Sequence, residues 1–287
     1  MKTEKLVLKS PNCSGLNVTG DTIEMKRFPD GENYVRIPIG CKGKEVVFIH
    51  RCYPEPDSSL IQLFLALRQL KGMGAKAITA VIPYLPYARQ DKRFLSGETM
   101  SSETICRMIR EAGCERLITF DCHFLKKEGG FVYGGLRIDN VSFGNQVVES
   151  LKTGLDNPIV ISPDEGAEYL TEGEAQKGVM KKVRGGYGHG DCVYREISSL
   201  KAAFDVRGRN VIIVDDMIAG GSTMVNALKL CKEKGAKSVR CGAVHGLFLN
   251  DALKRLMSSG ASKVECTNSI PAEASVVDIS NTIEKSI

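Results

Sequence analysis

Two adjacent carboxylates, Asp215 and Asp216, close the apolar run Val211-Ile-Ile-Val and are followed by Met-Ile-Ala219-Gly220-Gly221-Ser222-Thr223. Gly220, Gly221, Ser222 and Thr223 can turn consecutive backbone N–H groups toward an anion, and a helix starting near Thr223 adds the partial positive charge of its N-terminus. Carboxylates are poor neighbours for a bare phosphate but accept hydrogen bonds from sugar hydroxyls. A phosphorylated sugar satisfies both halves of the segment. It is not a Walker A loop, because no Gly-Lys-Ser/Thr is present. A strand ending in an acidic turn with a Ser/Thr helix cap fits the same residues, and the pattern alone leaves both readings open.

Further chemistry lies at the ends of other apolar runs, where ligands of open parallel sheets bind. Arg89, Gln90 and Asp91 follow Pro83-Tyr-Leu-Pro-Tyr-Ala, whose prolines and tyrosines stiffen the approach; Arg89 offers a planar fork for phosphate oxygens. The alternative is a solvated charge cluster. His123 sits two residues beyond Asp121, and Asp164 ends the run Pro158–Asp164. Imidazole and carboxylate both ligate divalent ions, although magnesium prefers oxygen, and a lone histidine is more often structural. Lys182 and Arg184 in Met180-Lys-Lys-Val-Arg precede the flexible Gly185-Gly-Tyr-Gly-His-Gly190; an exposed basic edge strand with a glycine hairpin is the other reading. Phe28, Asp30 and Glu32 flank Pro29-Asp30-Gly31, on its own a hairpin turn.

These residues need elements to position them. Glu45–His50, Ala77–Pro83, Arg116–Asp121, Pro158–Asp164, Asn210–Asp216 and Ser238–His245 are continuous apolar runs. They suit parallel strands buried on both faces. Between them lie helical patterns. Asp57–Lys71 opens with Asp57-Ser58 as cap chemistry and sets Leu60, Leu63, Phe64, Leu67 and Leu70 on one face. A helix-ending glycine before a strand recurs at Gly74, Gly113, Gly235 and Gly260. The pair Gly74 and Gly235 suggests two similar α/β halves, with a boundary within residues 139–157.

The chain's 287 residues allow one large domain or two ordinary ones. No apolar run approaches the ~20 residues a bilayer needs, and the charged N-terminus lacks a secretory pattern, so the expectation is no membrane and a cytoplasmic location. A net charge of +5, with basic residues scattered, argues against nucleic acid and leaves room for a small anionic substrate. Of ten cysteines none forms Cys-x-x-Cys, and Cys106, Cys231, Cys241 and Cys266 lie in apolar stretches. They read as small buried hydrophobes in a reducing compartment rather than zinc ligands.

The Asp215–Thr223 segment resembles the phosphoribosyl pyrophosphate (PRPP) binding motif of phosphoribosyltransferases and ribose-phosphate pyrophosphokinases. Lys26–Ile37 and Pro83–Arg93 look like the ATP-binding segments of the pyrophosphokinases, and Asp121-Cys-His123, Ser162-Pro-Asp164 and Thr267-Asn-Ser269 fall in family order. The resemblance covers nearly the whole chain; Pro83–Arg93 is its most specific part, and simple phosphoribosyltransferases lack it. The compact length is similar to archaeal members.

That resemblance implies an α/β fold of two tandem phosphoribosyltransferase-like domains, each a mainly parallel sheet flanked by helices. They would span residues 1–143, joined by the C-terminal segment 276–287, and residues 144–275, with the active site between them. It implies Mg²⁺-dependent transfer of the β,γ-pyrophosphoryl group of ATP to the C1 hydroxyl of ribose-5-phosphate. Phe28, Asp30 and Glu32 would take the adenine, and Arg89, Gln90 and Asp91 the rest of ATP. His123 and Asp164 would be metal ligands. Lys182, Arg184 and His123 would be catalytic, with Lys181 as the competing register for Lys182. Asp215, Asp216, Ala219, Gly220, Gly221, Ser222 and Thr223 would hold ribose-5-phosphate. A homo-oligomer, a dimer or a multiple of dimers, is implied as well. The chain departs from the family where Ala219, Gly220 and Ser222 replace Ser/Asp, Thr and the second Gly of the loop, and where Lys9–Asp21 leaves little room for the family's first helix. A PRPP-consuming phosphoribosyltransferase and a catalytically impaired regulatory homologue are the alternatives.

Overall fold

The computed structural model describes residues 4–184, 197–202 and 205–287, with the backbone alone at 181–184 and 197–202. The chain divides into two units: one up to Val141 together with Asp278–Ile287, the other Ser142–Val277.

The first unit begins with β1 (Lys5–Lys9), β2 (Asp21–Thr22), and the hairpin β3 (Glu24–Arg27) and β4 (Asn33–Arg36). It continues with β5 (Glu45–Ile49), α1 (Pro56–Gly72), β6 (Ala77–Val81), α2 (Ser101–Glu111), β7 (Arg116–Phe120), β8 (Gly129–Tyr133) and β9 (Leu136–Val141). Seven strands form one sheet in the order β2-β1-β5-β6-β7-β9-β8, parallel except for the β8–β9 pair. Val46 to Ile49 are all buried, as expected of a strand covered on both faces. Between β1 and β2 there is only a single 3-10 turn, Pro11–Cys13, where the family would have its first helix.

The second unit holds α3 (Gly144–Lys152), β10 (Ile159–Ser162), β11 (Lys177–Arg184), β12 (Ile197–Ala202), β13 (Asn210–Ile218) and α4 (Ser222–Glu233). β14 (Ser238–Gly246), α5 (Ala252–Ser258), β15 (Lys263–Thr267) and β16 (Ser275–Val277) complete it. Its sheet runs β12-β11-β10-β13-β14-β15-β16 and is parallel except for β11–β12. The chain then returns to the first unit as α6 (Ser280–Ser286). There Ile279 and Ile283 are buried, and the Asn17 N–H donates to Ser280 Oγ at 2.9 Å.

The six apolar runs fall on β5, β6, β7, β10, β13 and β14. The repeat read from Gly74 and Gly235 is physical. Both have positive φ, +81° and +83°. Each carbonyl accepts an N–H at 2.8 Å, from Gly43 in one unit and Gly208 in the other. Two residues on, Lys76 N–H donates to the Lys44 carbonyl and Lys237 N–H to the Arg209 carbonyl, again at 2.8 Å. The same turn therefore feeds β6 and β14, the strands that follow α1 and α4.

Three local expectations shift. α1 starts at Pro56, whose fixed φ suits the first helical position, and has no side-chain cap; Ser58 Oγ donates instead to Asn33 Oδ1 at 3.1 Å. α4 starts at Ser222, one residue early. β11 is not the sheet edge, because β12 pairs outside it, with Lys182 opposite Leu200. Cys106, Cys231, Cys241 and Cys266 are buried, and burial pushes the Cys106 and Cys231 thiols up to about 12, so they serve as packing. Among the described residues no helix is long and apolar enough to cross a membrane.

Candidate functional site

In the second unit β13 runs through both carboxylates to Ile218. Asp216 is only 3% exposed; Asp215 is half-buried and accepts the Asp216 N–H on its own Oδ1 at 2.9 Å. Burial, then the negative charges of Asp216 and Asp164, push the Asp215 carboxyl well above the usual carboxylate range. Asp164 lies just beyond β10 and accepts the Gly166 N–H at 2.8 Å, capping the short 3-10 segment Glu165–Thr171. It is thus both a structural cap and a neighbour of Asp215. Three carboxylates are thus crowded at the ends of two neighbouring strands.

After Ile218 the chain turns through Ala219 and Gly220. Leu247 and Phe248 N–H groups donate to the Ile218 carbonyl at 3.0 and 3.1 Å, and the Leu249 N–H to Ala219 at 3.0 Å. The Arg255 guanidinium donates to the Gly220 carbonyl. These bonds engage the loop's carbonyls. α4 then begins without a side-chain cap and with no acidic residue in its first turn, and its first intrahelical bond runs from Val225 N–H to the Gly221 carbonyl at 2.8 Å. By helix geometry the N–H groups of Ser222, Thr223 and Met224 have no acceptor within the helix. An uncapped helix start with a loop fixed behind it has free N–H groups of the kind that can take an anion. Arg255 and Leu247–Leu249 gave no signal in the sequence, since their role comes from contact with a loop about thirty residues away.

Gly221 is the hinge of this turn, with φ +73°. A Cβ there would stand 2.9 Å from Ala252 Cβ. Gly221→Ala is expected to destabilise the protein by roughly 2–4 kcal/mol, from left-handed strain and overpacking together. Adding Ala252→Gly should restore the packing part but not the strain. Denaturant midpoints of the two variants check this; equal midpoints would show that the clash is not felt.

In the first unit Arg89–Asp91 and His123 follow the carboxyl ends of β6 and β7, neighbours in the sheet, while Phe28, Asp30 and Glu32 lie on the separate β3–β4 hairpin. The β3–β4 hairpin carries Phe28–Glu32 at its tip, closed by Phe28 N–H to the Glu32 carbonyl at 2.8 Å. So the structural reading of Pro29-Asp30-Gly31 as a turn holds, and the turn presents Phe28 half-exposed at 49%, edge-on to Tyr34. Asp30 Oδ1 accepts the Glu32 N–H at 3.1 Å. The hairpin is pinned to the start of α1: Gln62 donates to Asn33 Oδ1 at 2.8 Å, and Arg27 pairs with Glu55 at 3.0 Å.

The Arg89–Asp91 loop reaches the same helix start, because Tyr87 donates to Asp57. Arg89 is exposed, while Gln90 and Asp91 are half-buried. Gln90 is already engaged: its carbonyl accepts from Ser102 Oγ at 3.1 Å and its side-chain oxygen accepts from Ser101 Oγ at 2.5 Å, fixing the start of α2. Ser102 Oγ also lies 2.9 Å from Tyr133 Oη, and the Tyr133 ring stacks at 4.5 Å on Phe124, the residue after His123. Ser102, Tyr133 and Phe124 therefore link the loop after β6 to the loop after β7. His123 itself is half-buried. His50, at the end of β5, is fully buried, with burial lowering its pKa to about 4, and it bonds the Ser59 carbonyl at 2.8 Å; it packs rather than reacts.

The side chains of Lys182 and Arg184, and all of Gly185–Gly190, lie outside the described residues. On the backbone, Val179 is level with Ser162, so Lys182 follows farther along β11, beside the end of β10 that leads to Asp164. Among the described residues no group of three His, Cys, Asp or Glu forms a ready-made metal cage.

Residues 4–113 match the profile of the N-terminal domain of ribose phosphate pyrophosphokinase, and residues 190–287 that of the phosphoribosyl synthetase-associated domain. A ribose-phosphate pyrophosphokinase of Sulfurisphaera tokodaii is 34% identical over 277 residues, covering 92% of this chain and 91% of its own length. That of Sulfolobus acidocaldarius is 36% identical over 276 residues, with the same coverage. The fold matches the crystal structure of phosphoribosylpyrophosphate synthetase from Mycobacterium smegmatis, with a TM-score of 0.83 at 24% identity over 99% of this chain and 97% of that one. The tandem phosphoribosyltransferase-like α/β fold expected from the sequence agrees with that match.

Proposed function

Because the chain belongs to the ribose-phosphate pyrophosphokinase family, we propose that it transfers the β,γ-pyrophosphoryl group of ATP to the C1 hydroxyl of ribose-5-phosphate, giving PRPP and AMP for nucleotide synthesis. The observation that carries this reading is the strand–turn–helix of the second unit. There two carboxylates and an uncapped helix start lie within eight residues, Asp215 to Ser222. The N–H groups from Gly220 to Thr223 would hold the 5-phosphate, and Asp215 and Asp216 would accept from ribose hydroxyls.

In the first unit Phe28 would stack on adenine, with Asp30 and Glu32 accepting from its amino group. Arg89 would bridge phosphate oxygens with its fork. The C1 oxygen attacks the β-phosphorus, its proton leaves, and the bond from that phosphorus to the AMP oxygen breaks. Lys182 and Arg184 would neutralise charge on the transferring group, and glycine-rich residues 185–190 would let that segment close over it. Both substrates are anions, so positioning and charge neutralisation dominate.

Asp164 and His123 would be the chain's ligands to magnesium, which when bound would screen the phosphate charge and take its remaining coordination from water and substrate. Assembly as a homo-oligomer belongs to the same reading, and light scattering checks it.

One assay tests the reaction: incubate the protein with Mg²⁺, ATP and ribose-5-phosphate and measure AMP. No AMP at high protein concentration rejects it. Nucleobase-dependent PRPP consumption would instead support the transferase alternative, and nucleotide binding without turnover the regulatory one. Phe28→Ala should raise the KM for ATP about tenfold, the scale of a lost base stack, with little change in the thermal midpoint because the ring is half-exposed.

A further inference from the structure

Asn140 lies on β9 and is 1% exposed. Its side chain does not serve its own strand. Oδ1 accepts the Cys122 N–H at 2.9 Å, and Nδ2 donates to the Lys127 carbonyl at 2.8 Å and to the Leu125 carbonyl at 3.5 Å. All three partners belong to the loop that leaves β7 and carries His123. The loop also needs holding at its start: Asp121 is buried with φ +33°, a strained conformation for a residue with a side chain. Asp121 N–H donates to the Val141 carbonyl at 3.0 Å, so β9 is the support on which the turn is built.

Only an amide offers an acceptor and donors at this length. Aspartate would keep the acceptor for Cys122 but lose the donor and bury a charge. Alanine would remove the side-chain partner of the Cys122 N–H and of the Leu125 and Lys127 carbonyls. The same loop is also held by the stack of Phe124 on Tyr133.

We infer that Asn140 is a positioning residue: by bonding the backbone on both sides of His123, it sets where that imidazole stands. The inference rests on the reading that His123 acts on the metal–phosphate end of ATP. A misplacement of about 1 Å in such a group lowers turnover by up to ~10²-fold.

The test is a double-mutant cycle on the full-length protein, with Asn140→Ala, His123→Ala and the pair, reading AMP formation and the Mg²⁺ concentration for half-activation. Asn140→Ala is expected to lower kcat at least ~10-fold and raise the half-activating Mg²⁺, with the KM for ribose-5-phosphate unchanged. In the His123→Ala background it should cost less than about twofold, because the group it positions is gone. Asn140→Asp, run through the same cycle, serves if the alanine variant does not fold. Equal losses in both backgrounds overturn the inference and make Asn140 a general structural residue. Wild-type activity in His123→Ala overturns the reading of His123 and the inference with it, while absence of AMP from the wild-type protein overturns the proposed reaction.

Discussion

Asp215→Asn is expected to raise the protein's stability at pH 8 and to lower kcat/KM for ribose-5-phosphate at least ~10²-fold. The stability half follows from the direction of the Asp215 shift. Burial first, then Asp216 and Asp164, hold its pKa well above the ordinary value of 3.8. The folded protein therefore keeps a proton that the unfolded chain has already released. The stability this contributes is fully present below the unfolded pKa and is lost as pH rises through the folded one. An asparagine has the shape of the protonated acid and removes that loss. Its advantage should be small at pH 4 and grow toward pH 8. The activity half follows from the proposed role: a neutral amide accepts sugar hydroxyls less strongly than a carboxylate, and charged hydrogen bonds are worth roughly 1.5–3 kcal/mol each. Denaturant midpoints at the two pH values and steady-state kinetics give both readings. An Asp215→Asn variant that is less stable than the wild type at pH 8, or equally active, would contradict the crowded-carboxylate account.

Lys182→Ala should lower kcat at least ~10²-fold, the scale of removing one charge-stabilising donor from a transferring group. Lys182 lies beyond the level at which β11 pairs with Ser162, on the side of the sheet end that also carries Asp164. The KM for ribose-5-phosphate should change little, because the cradle residues lie on a different loop. Lys182→Arg should recover only part of the loss: the charge returns, but a planar fork replaces a compact ammonium. Lys181→Ala is the register control and should be mild. If Lys181→Ala is the damaging change and Lys182→Ala is silent, the assignment moves by one residue.

The candidate site was legible in unequal parts. Asp215–Thr223 could be read because strand, turn and helix start are contiguous, and local backbone geometry turns their order into a candidate cradle. Pro83–Arg93 could be read from its residue types. Arg255 and Asn140 could not, because neither belongs to a local pattern. Gln90 was singled out through the family resemblance of its segment, and its bond from Ser101 Oγ, which ties it to the start of α2, could not be read from the local sequence. Lys9–Asp21 gave a correct negative signal, since thirteen residues there accommodate only the 3-10 turn Pro11–Cys13.

The amino-acid order alone determined the alternation of buried strands and helices, the glycine turns at Gly74 and Gly235, and the chemical types gathered at strand ends. Each depends on neighbours within a few residues, where backbone sterics and side-chain periodicity act directly. Tertiary structure alone decided that Asp164 crowds Asp215, that Ala252 closes on Gly221, and that Asn140 grips the loop of His123. Those contacts join strands and loops remote in sequence. Their partners are fixed by strand order and register, which no local stretch of residues encodes.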